Sequence, residues 1–298
     1  MIRLLTGLVY GLIRYSGLAV LIRFLTRDRV SVILYHDPDP MTFEQHLQYL
    51  TRRYRPVSLG DLAGYLYAPG TKKLPEHALV VTFDDGWKGN YNLLPLFIKY
   101  GIRPAIFLST GLIDTERHFW WTACSPKEAG RLKKVSNSQR IRELRNNYLH
   151  RPERNYRGMR HALSKQEILE MKEHVDFGLH TRFHPILTQC TVGEIVEEVA
   201  GCKADAEKLL GAKAEYFAYP NGDYDHECAE ILKANGIKLG RTTDAGWNDR
   251  FTNPYKLKVT GASDNSSITK LAAEMTGIPR YLQHLLLGGS LRGVKKPS

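Results

Sequence analysis

Residues 79–86 have the sequence Leu79-Val80-Val81-Thr82-Phe83-Asp84-Asp85-Gly86, a short apolar run that ends in two carboxylates and a glycine. Such a run is typical of a buried strand in a parallel sheet. Both acids then follow the strand's carboxyl end, where α/β proteins place their chemistry. Adjacent carboxylates repel, and a divalent cation removes that cost by ionising one as a ligand while its neighbour accepts a proton. Taken alone, Asp-Asp-Gly is more often a tight turn.

The rest of the chain repeats this pattern, because short apolar runs alternate with helix-like stretches as they do in βα units. We expect strands at residues 30–35, 78–83, 104–109, 175–179, 216–219, 238–241 and 256–259. We expect helices between them at residues 43–53, 91–100, 165–174, 192–210 and 226–235. This order predicts an α/β fold, a distorted (β/α) barrel of about seven parallel strands, with an open doubly wound sheet as the alternative.

Composition limits the class of protein and its partners. The chain has 298 residues, of which 43% are hydrophobic and 24% charged, which suits one catalytic domain with short additions. The net charge of +11 favours an anionic partner, such as a phosphorylated glycolipid or a membrane surface. We expect no nucleic-acid partner, since the sequence has no zinc-finger spacing, RNA-binding aromatic signature or long basic block.

The cysteines are too few for a disulfide framework and include no C-x-x-C pair. We therefore expect reduced, structural thiols at Cys124, Cys190, Cys202 and Cys228. Reduced thiols favour a cytosolic setting.

The first 25 residues are apolar, but Arg14 and Arg23 interrupt them and no small-x-small cleavage site follows, so we do not expect a cleaved signal peptide. An arginine at the centre of a membrane span costs about 2.5–3.5 kcal/mol, which argues against a span. One narrow helical face collects Arg3, Gly7, Tyr10, Arg14 and Gly17. Residues 1–28 are therefore predicted to form an amphipathic helix on a membrane surface, or alternatively a helix packed on the catalytic domain.

Two further segments lie in or beyond the central domain, which we place at residues 29–262. Residues 115–160 are rich in Arg, Lys, Asn and Trp and predict an insertion beside the site, either a solvated helical excursion or a substrate lid. The tail at 263–298 predicts an amphipathic helix, which Pro279 should kink or split. Its apolar positions are Leu271, Met275, Ile278, Leu282 and Leu286. This helix is expected to pack against the barrel, with surface binding as the alternative.

A second chemical cluster lies at residues 177–185, F-G-L-H-T-R-F-H-P, where His180 and His184 follow an apolar strand. One helical turn between them would point both imidazoles the same way. Two histidines and a carboxylate leave open positions on a metal such as Zn²⁺ for water and a substrate oxygen. A third cluster, Y-F-A-Y-P-N-G at residues 216–222, is a strand entering a turn that could aim a backbone N–H at a developing oxyanion. By itself it is a β-turn.

Together and in this order, T-F-D-D-G, H-T-x-x-H-P and F-A-Y-P-N-G resemble the motifs of the NodB-type polysaccharide deacetylases, carbohydrate esterase family 4. The resemblance is greatest to the poly-N-acetylglucosamine deacetylase branch. It extends over residues 31–259, with I-L-Y-H near the start and D-A-G-W-N near the end. It implies a zinc-dependent hydrolase that removes N-acetyl groups from an amino-sugar glycan, or from a lipid-linked glycan, in cell-envelope or exopolysaccharide synthesis. The alternatives are a deformylase of a polyprenyl-linked amino sugar and a non-catalytic glycan-binding scaffold.

The resemblance also implies residue roles. Asp84 is the expected general base, and Asp85, His180 and His184 are the expected metal ligands. His36, on the early Y-H strand end, is the expected general acid, with strand capping as its alternative. The oxyanion and substrate segment is Tyr219-Pro220-Asn221, with the N–H of Asn221 as the donor.

Two tryptophans near the motifs, and two departures from the family pattern, also concern the predicted site. Trp87 and Trp247 could each stack on a sugar ring or pack in the core. Ala218 replaces the arginine that orients the base, for which Arg241 is the candidate substitute, and Leu179 replaces a small polar residue. We expect the protein at the cytoplasmic face of the inner membrane, with the periplasmic face as the alternative.

Overall fold

The computed structural model describes residues 2–68, 70, 72–261 and 264–279, with side chains from residue 7 onward. The chain forms a nearly closed barrel of seven parallel strands in the order β1-β3-β4-β5-β6-β7-β8, with β2 paired to β3 outside the ring. The strands are β1 (Ser31–Tyr35), β2 (Arg55–Pro56), β3 (Ala78–Phe83), β4 (Ala105–Leu108), β5 (Asp176–Leu179), β6 (Tyr216–Ala218), β7 (Leu239–Ala245) and β8 (Leu257–Val259). Beyond β8, the N–H of Thr260 donates to Val32 O at 2.8 Å, which closes the ring.

Helices cover the outside of the barrel. They are α1 (Ile2–Tyr15), α2 (Leu18–Leu25), α3 (Pro40–Thr51), α4 (Leu59–Tyr67), α5 (Leu94–Tyr100), α6 (Pro126–Leu132), α7 (Asn137–Tyr148), α8 (Lys165–Met171), α9 (Val192–Leu210), α10 (His226–Ala234) and α11 (Ile268–Glu274). The predicted barrel and its seven strands are confirmed. The sequence prediction missed β2 and α4, although Ser58 and Asp61 form a capping box at the start of α4.

The amino-terminal segment is not the single helix predicted for residues 1–28. Gly17 adopts φ 79°, in the left-handed region, and separates α1 from α2. Among the described residues no single helix is long and apolar enough to cross a membrane, and Gly7–Tyr15 and Leu18–Leu25 reach that length only as a pair bent by 65°. The Arg14 guanidinium donates to the Thr269 hydroxyl on α11 at 2.8 Å, so α1 packs on α11.

The carboxyl-terminal helix packs against the barrel, as expected for its first part. Leu271 and Met275 lie in the core beside α3 and α5 residues. α11 ends at Glu274, and the left-handed backbone of Gly277, with φ 69°, follows it before Pro279 is reached. Leu282 and Leu286 lie outside the described residues.

The segment at 115–160 contains α6, α7 and a 3₁₀ turn at Trp120–Ala123, and no strand. Trp120, Leu132 and Leu144 form a small core of its own. The four cysteines are free, as predicted.

Candidate active site

Three side chains from two distant segments meet at the carboxyl-end edge of the barrel. Asp85 follows β3, and its Oδ1 lies 3.4 Å from Nε2 of His180 and 3.4 Å from Nε2 of His184, both of which follow β5. All three residues are buried. Because β3, β4 and β5 are parallel neighbours, their carboxyl ends share one edge, and the two motifs converge there.

The two histidines face each other without the helical turn that we predicted. The backbone is left-handed at Thr181 (φ 64°) and His184 (φ 54°) instead. The Thr181 hydroxyl accepts the N–H of His184 at 3.0 Å and donates to His180 O, which replaces helical hydrogen bonds. Asp85 is also left-handed, at φ 72°. Non-glycine residues in this region are strained, and such strain concentrates at functional sites.

Hydrogen bonding and burial set the protonation of the cluster. His180 Nδ1 lies 2.7 Å from Ala218 O and donates to it, which leaves Nε2 facing Asp85, where its unprotonated form could bind a cation. Burial, followed by the neighbouring His180, holds the pKa of His184 well below its ordinary value, so that imidazole is neutral. Burial would raise the pKa of Asp85, but the neighbouring imidazoles of His180 and His184 lower it overall. The cluster thus contains an ionised carboxylate beside imidazole nitrogens.

These three residues fit a divalent metal. Asp85 Oδ1 has no hydrogen-bond partner among the described residues, whereas its Oδ2 accepts the indole N–H of Trp87 at 2.9 Å. Ligands on a tetrahedral Zn²⁺, with bonds of about 2.0–2.2 Å, lie roughly 3.3–3.6 Å apart. The two distances of 3.4 Å from Asp85 Oδ1 to the histidine Nε2 atoms match that ligand-to-ligand separation. Two imidazoles and one carboxylate are also a ligand set suited to zinc.

Asp84 lies beside this cluster and has a different partner. It is 5% exposed, with Oδ2 at 3.9 Å from His180 Nε2. Its Oδ1 accepts a hydrogen bond from Nη2 of Arg241, which is 1% exposed. Arg241 on β7 is the register partner of Ala218 on β6. The arginine that the family pattern places at position 218 is thus supplied from the paired position of the next strand.

His36 opens onto the same site. A cavity of about 250 Å³ is lined by His36, Asp37, Asp85, Trp87, Trp121 and Asp264. The Asp264 carboxylate accepts the backbone N–H of His36 at 2.8 Å and that of Asp37 at 3.2 Å, and it lies 4.0 Å from the His36 ring. His36 therefore shares a cavity with the carboxylate of the candidate metal cluster, which its sequence position alone did not show.

The profile of the family described as "Polysaccharide deacetylase" matches residues 71–240, more than half of the chain. The chain belongs to the polysaccharide deacetylase family. The matched range contains Asp84, Asp85, His180 and His184, but not His36. Polysaccharide deacetylases are hydrolases of amide bonds and generally depend on a divalent metal, in agreement with the cluster at Asp85.

Individual polysaccharide deacetylases share only a low sequence identity with this chain. YxkH of Bacillus subtilis (strain 168), a predicted polysaccharide deacetylase, is 23% identical over 218 residues, which cover 72% of this chain and 62% of YxkH. IcaB from Ammonifex degensii has a similar structure, with TM-score 0.62, 23% identity, and coverage of 84% of this chain and 97% of IcaB. The Streptococcus pyogenes deacetylase PplD in complex with acetate gives TM-score 0.60, 21% identity, and coverage of 83% and 98%. At these identities the two structures support the fold alone.

In this member of the family the 115–160 segment forms one wall of the candidate site. The Trp121 ring lies 4.3 Å from the His184 ring, and the indole N–H of Trp120 donates to His184 O at 2.9 Å. Trp87 lines the cavity and packs 4.3 Å from Phe119, which agrees with the packing alternative, whereas its stacking on a sugar ring stays a prediction. Sequence analysis placed an insertion here but did not single out Trp120 or Trp121, although the Trp-Trp pair in a basic segment was a visible signal.

Other predicted residues lie elsewhere. The Tyr219 side chain is fully buried in the core beside Phe217, and its hydroxyl donates to Tyr255 O at 3.2 Å. Its place in the oxyanion and substrate segment stays a prediction. Pro220 is buried, whereas Asn221 is exposed with φ 60°. The oxyanion role of the Asn221 N–H stays a prediction.

Trp247 is half-buried and is not among the described residues that line the cavity. A Cβ built on Gly277 would lie 3.0 Å from its ring, so Trp247 packs against the turn that follows α11. Stacking of this ring on a sugar stays a prediction.

Replacing Arg241 tests how the buried Asp84 carboxylate is compensated. Arg241→Met is expected to lower the free energy of unfolding by about 3 kcal/mol, because it leaves a buried carboxylate without its cation. The double variant Asp84→Asn with Arg241→Met should be more stable than Arg241→Met alone, since no buried charge then remains. Urea denaturation measures both. A loss below about 1 kcal/mol, or no recovery in the double variant, contradicts the pairing.

Proposed function

We propose that this polysaccharide deacetylase removes N-acetyl groups from an amino sugar in a glycan or lipid-linked glycan, with zinc as its metal. The observation that supports this most is the convergence of Asp84 with Asp85, His180 and His184 in one buried cluster. A scaffold that only binds glycans would need neither a general base beside a metal site nor three ligand atoms within 4.8 Å of one another.

Each residue then has a distinct task in hydrolysis. When bound, the cation supplies Lewis-acid chemistry. Asp84 takes a proton from the attacking water, and Arg241 fixes the orientation of its carboxylate. A carbon–oxygen bond forms at the amide carbonyl as the carbon–nitrogen bond breaks. His36 donates a proton to the departing amine, and acetate and a free amino sugar leave.

His36 is proposed as the acid because it shares the cavity with Asp85 and its backbone is held by Asp264. His36→Gln should slow amide hydrolysis by about 10²–10⁴-fold, the usual contribution of a general acid. The same variant should hydrolyse an aryl acetate ester within a few-fold of the wild-type rate, because a stable phenolate leaves without needing a proton. Steady-state rates on an N-acetylglucosamine oligomer and on the ester provide the comparison.

His226→Gln is the matched control, since His226 is exposed on α10 and should leave both rates unchanged. Equal losses on amide and ester would show that His36 only shapes the site.

The acyl group and its carrier distinguish the leading proposal from the alternative deformylase. We would incubate the enzyme with N-acetylglucosamine oligomers and, separately, with membrane glycolipids, and follow both by mass spectrometry. Deacetylation lowers the mass by about 42 units and deformylation by about 28, and the catalytic residues serve both reactions. Loss of acetyl from the oligomers or the glycolipids supports the proposal. Loss of formyl alone, or no change in either pool, contradicts it.

We also propose that the enzyme works at a membrane surface, at the cytoplasmic face of the inner membrane. The support is the apolar face of α1 and α2, a set of exposed residues made up of Leu8, Leu12, Tyr15, Val20, Leu21, Phe24 and Leu25. Exposed apolar patches of this kind mark interaction sites, and free cysteines suit a reducing compartment. The periplasmic face is the alternative, and the vesicle experiment below tests membrane binding itself.

A further inference from the structure

We propose that a cleft beside α2, lined by Arg23, Arg52, Arg53 and Arg55, binds the phosphate groups of anionic lipids. The cleft has a volume of about 470 Å³. Arg23 belongs to α2, Arg52 caps the end of α3, and Arg55 lies in β2. The inference rests on the membrane-surface proposal and is independent of the hydrolytic one.

The cleft has excess positive charge. Within the described residues, no ion pair includes Arg23, Arg52 or Arg55. The one acid in the lining, Glu76, lies 3.5 Å from Arg27 and is engaged there. Guanidinium groups bind phosphate through two parallel hydrogen bonds, so three unpaired arginines suit phosphate oxygens.

The pKa of a neighbouring histidine agrees with the excess positive charge of the cleft. His77 also lines the cleft, and its pKa lies below the ordinary value, first through burial and next through the charge of Arg23. Arg55 and Arg27 lower the same pKa further, against the opposing effect of Glu76. The part of this shift that comes from the arginines reflects a positive local potential, which attracts anions.

Arg53 differs from the other three arginines of the cleft, because its guanidinium has contacts within the protein. It donates to Tyr49 O at 3.2 Å and lies 4.1 Å from the centre of the Tyr49 ring. Arg52 and Arg55 are exposed and free of such contacts among the described residues, so they are the arginines to replace.

The cleft adjoins the apolar face defined above, because Arg23 lies next to Phe24 on α2. Phe24 is 57% exposed and Leu25 is 68% exposed. Peripheral membrane proteins combine apolar side chains that enter the acyl boundary with basic residues that meet anionic headgroups. The two surfaces together therefore fit an anionic bilayer better than a neutral one.

The position of the cleft keeps it clear of the catalytic residues. Arg55 pairs with Ala78, the first residue of β3, whereas Asp84 and Asp85 follow the last one. A six-residue strand spans about 20 Å, so headgroups in the cleft leave the site accessible.

Binding of the full-length protein to lipid vesicles tests the proposal. Vesicles of phosphatidylcholine alone would be compared with vesicles containing phosphatidylglycerol, by sedimentation. Arg52→Gln/Arg55→Gln should weaken binding to the anionic vesicles by roughly 25-fold, since each arginine near such a surface contributes about five-fold. The matched control, Arg142→Gln/Arg151→Gln, removes the same charge from exposed positions in the 115–160 segment and should change binding less than two-fold.

A second variant separates the two membrane proposals. Leu21→Ser/Phe24→Ser should reduce binding to both kinds of vesicle, which would support the apolar face whatever the arginines do. Equal weakening by the cleft pair and the control pair would overturn the cleft and leave a general charge effect. Stabilisation by inorganic phosphate without any vesicle binding would also overturn it, in favour of a soluble anion. A concentration-dependent dimer that binds no vesicles would show that a second copy covers the face.

Discussion

Asp84→Asn is expected to retain the metal and to hydrolyse the N-acetylated substrate about 10²–10⁴-fold more slowly than the wild type. The amide has the shape of the carboxylate and its oxygen still accepts the hydrogen bond from Arg241. It cannot take a proton from water. Asp84 is not one of the three residues whose ligand atoms converge, so metal binding should persist. Acetate release measures the rate, and elemental mass spectrometry of the purified protein measures the metal.

Asp114→Asn is a suitable control because Asp114 is exposed and its φ of 58° is tolerated by asparagine. The control should keep the wild-type rate. Wild-type turnover in Asp84→Asn would remove the base from the mechanism, and metal loss in that variant would make Asp84 a ligand.

The barrel strands were predictable because strands buried on both faces form continuous apolar runs. All six residues of β3 are buried, and the sequence run A-L-V-V-T-F has no polar alternation. β2 could not be found in this way, since two residues have no pattern. The break at Gly17 was missed because helical periodicity continues in register across it, while the backbone does not.

The residues of the candidate metal site were predictable from two sequence motifs, which contain Asp85, His180 and His184. The backbone geometry that brings them together was not predictable. Sequence spacing suggested a helical turn between the histidines, and the Thr181 hydroxyl with two left-handed residues produces the same convergence. Local patterns do not indicate which residue will accept strain imposed by the surrounding structure.

The residues that contact the predicted site residues are brought there by long-range packing. Trp120 contacts His184 across 64 positions of the chain, and Asp264 contacts His36 across 228. Arg241 was only a candidate until strand register placed it opposite Ala218. Register follows from how the whole barrel closes, so it cannot be read from either strand separately.

His184→Ala is expected to lose the metal, with its affinity falling more than 100-fold, because even partners that only orient a ligand contribute 10–100-fold. Of the two histidines, His184 is the cleaner one to replace. His180 Nδ1 holds Ala218 O on the adjacent strand, so its removal would also disturb the sheet. His184 Nδ1 has no partner among the described residues, and the alanine therefore leaves no new buried group unpaired.

Turnover of His184→Ala should fall at least as far as that of Asp84→Asn, but through a different cause. Without a cation, the reaction would lack the Lewis-acid chemistry that a bound metal supplies, although Asp84 would still be present as the base. Elemental analysis of both variants and of His226→Ala, purified side by side, distinguishes the roles. Metal should be absent from His184→Ala alone. Equal loss from His184→Ala and Asp84→Asn would mean that base and ligand cannot be assigned to separate residues.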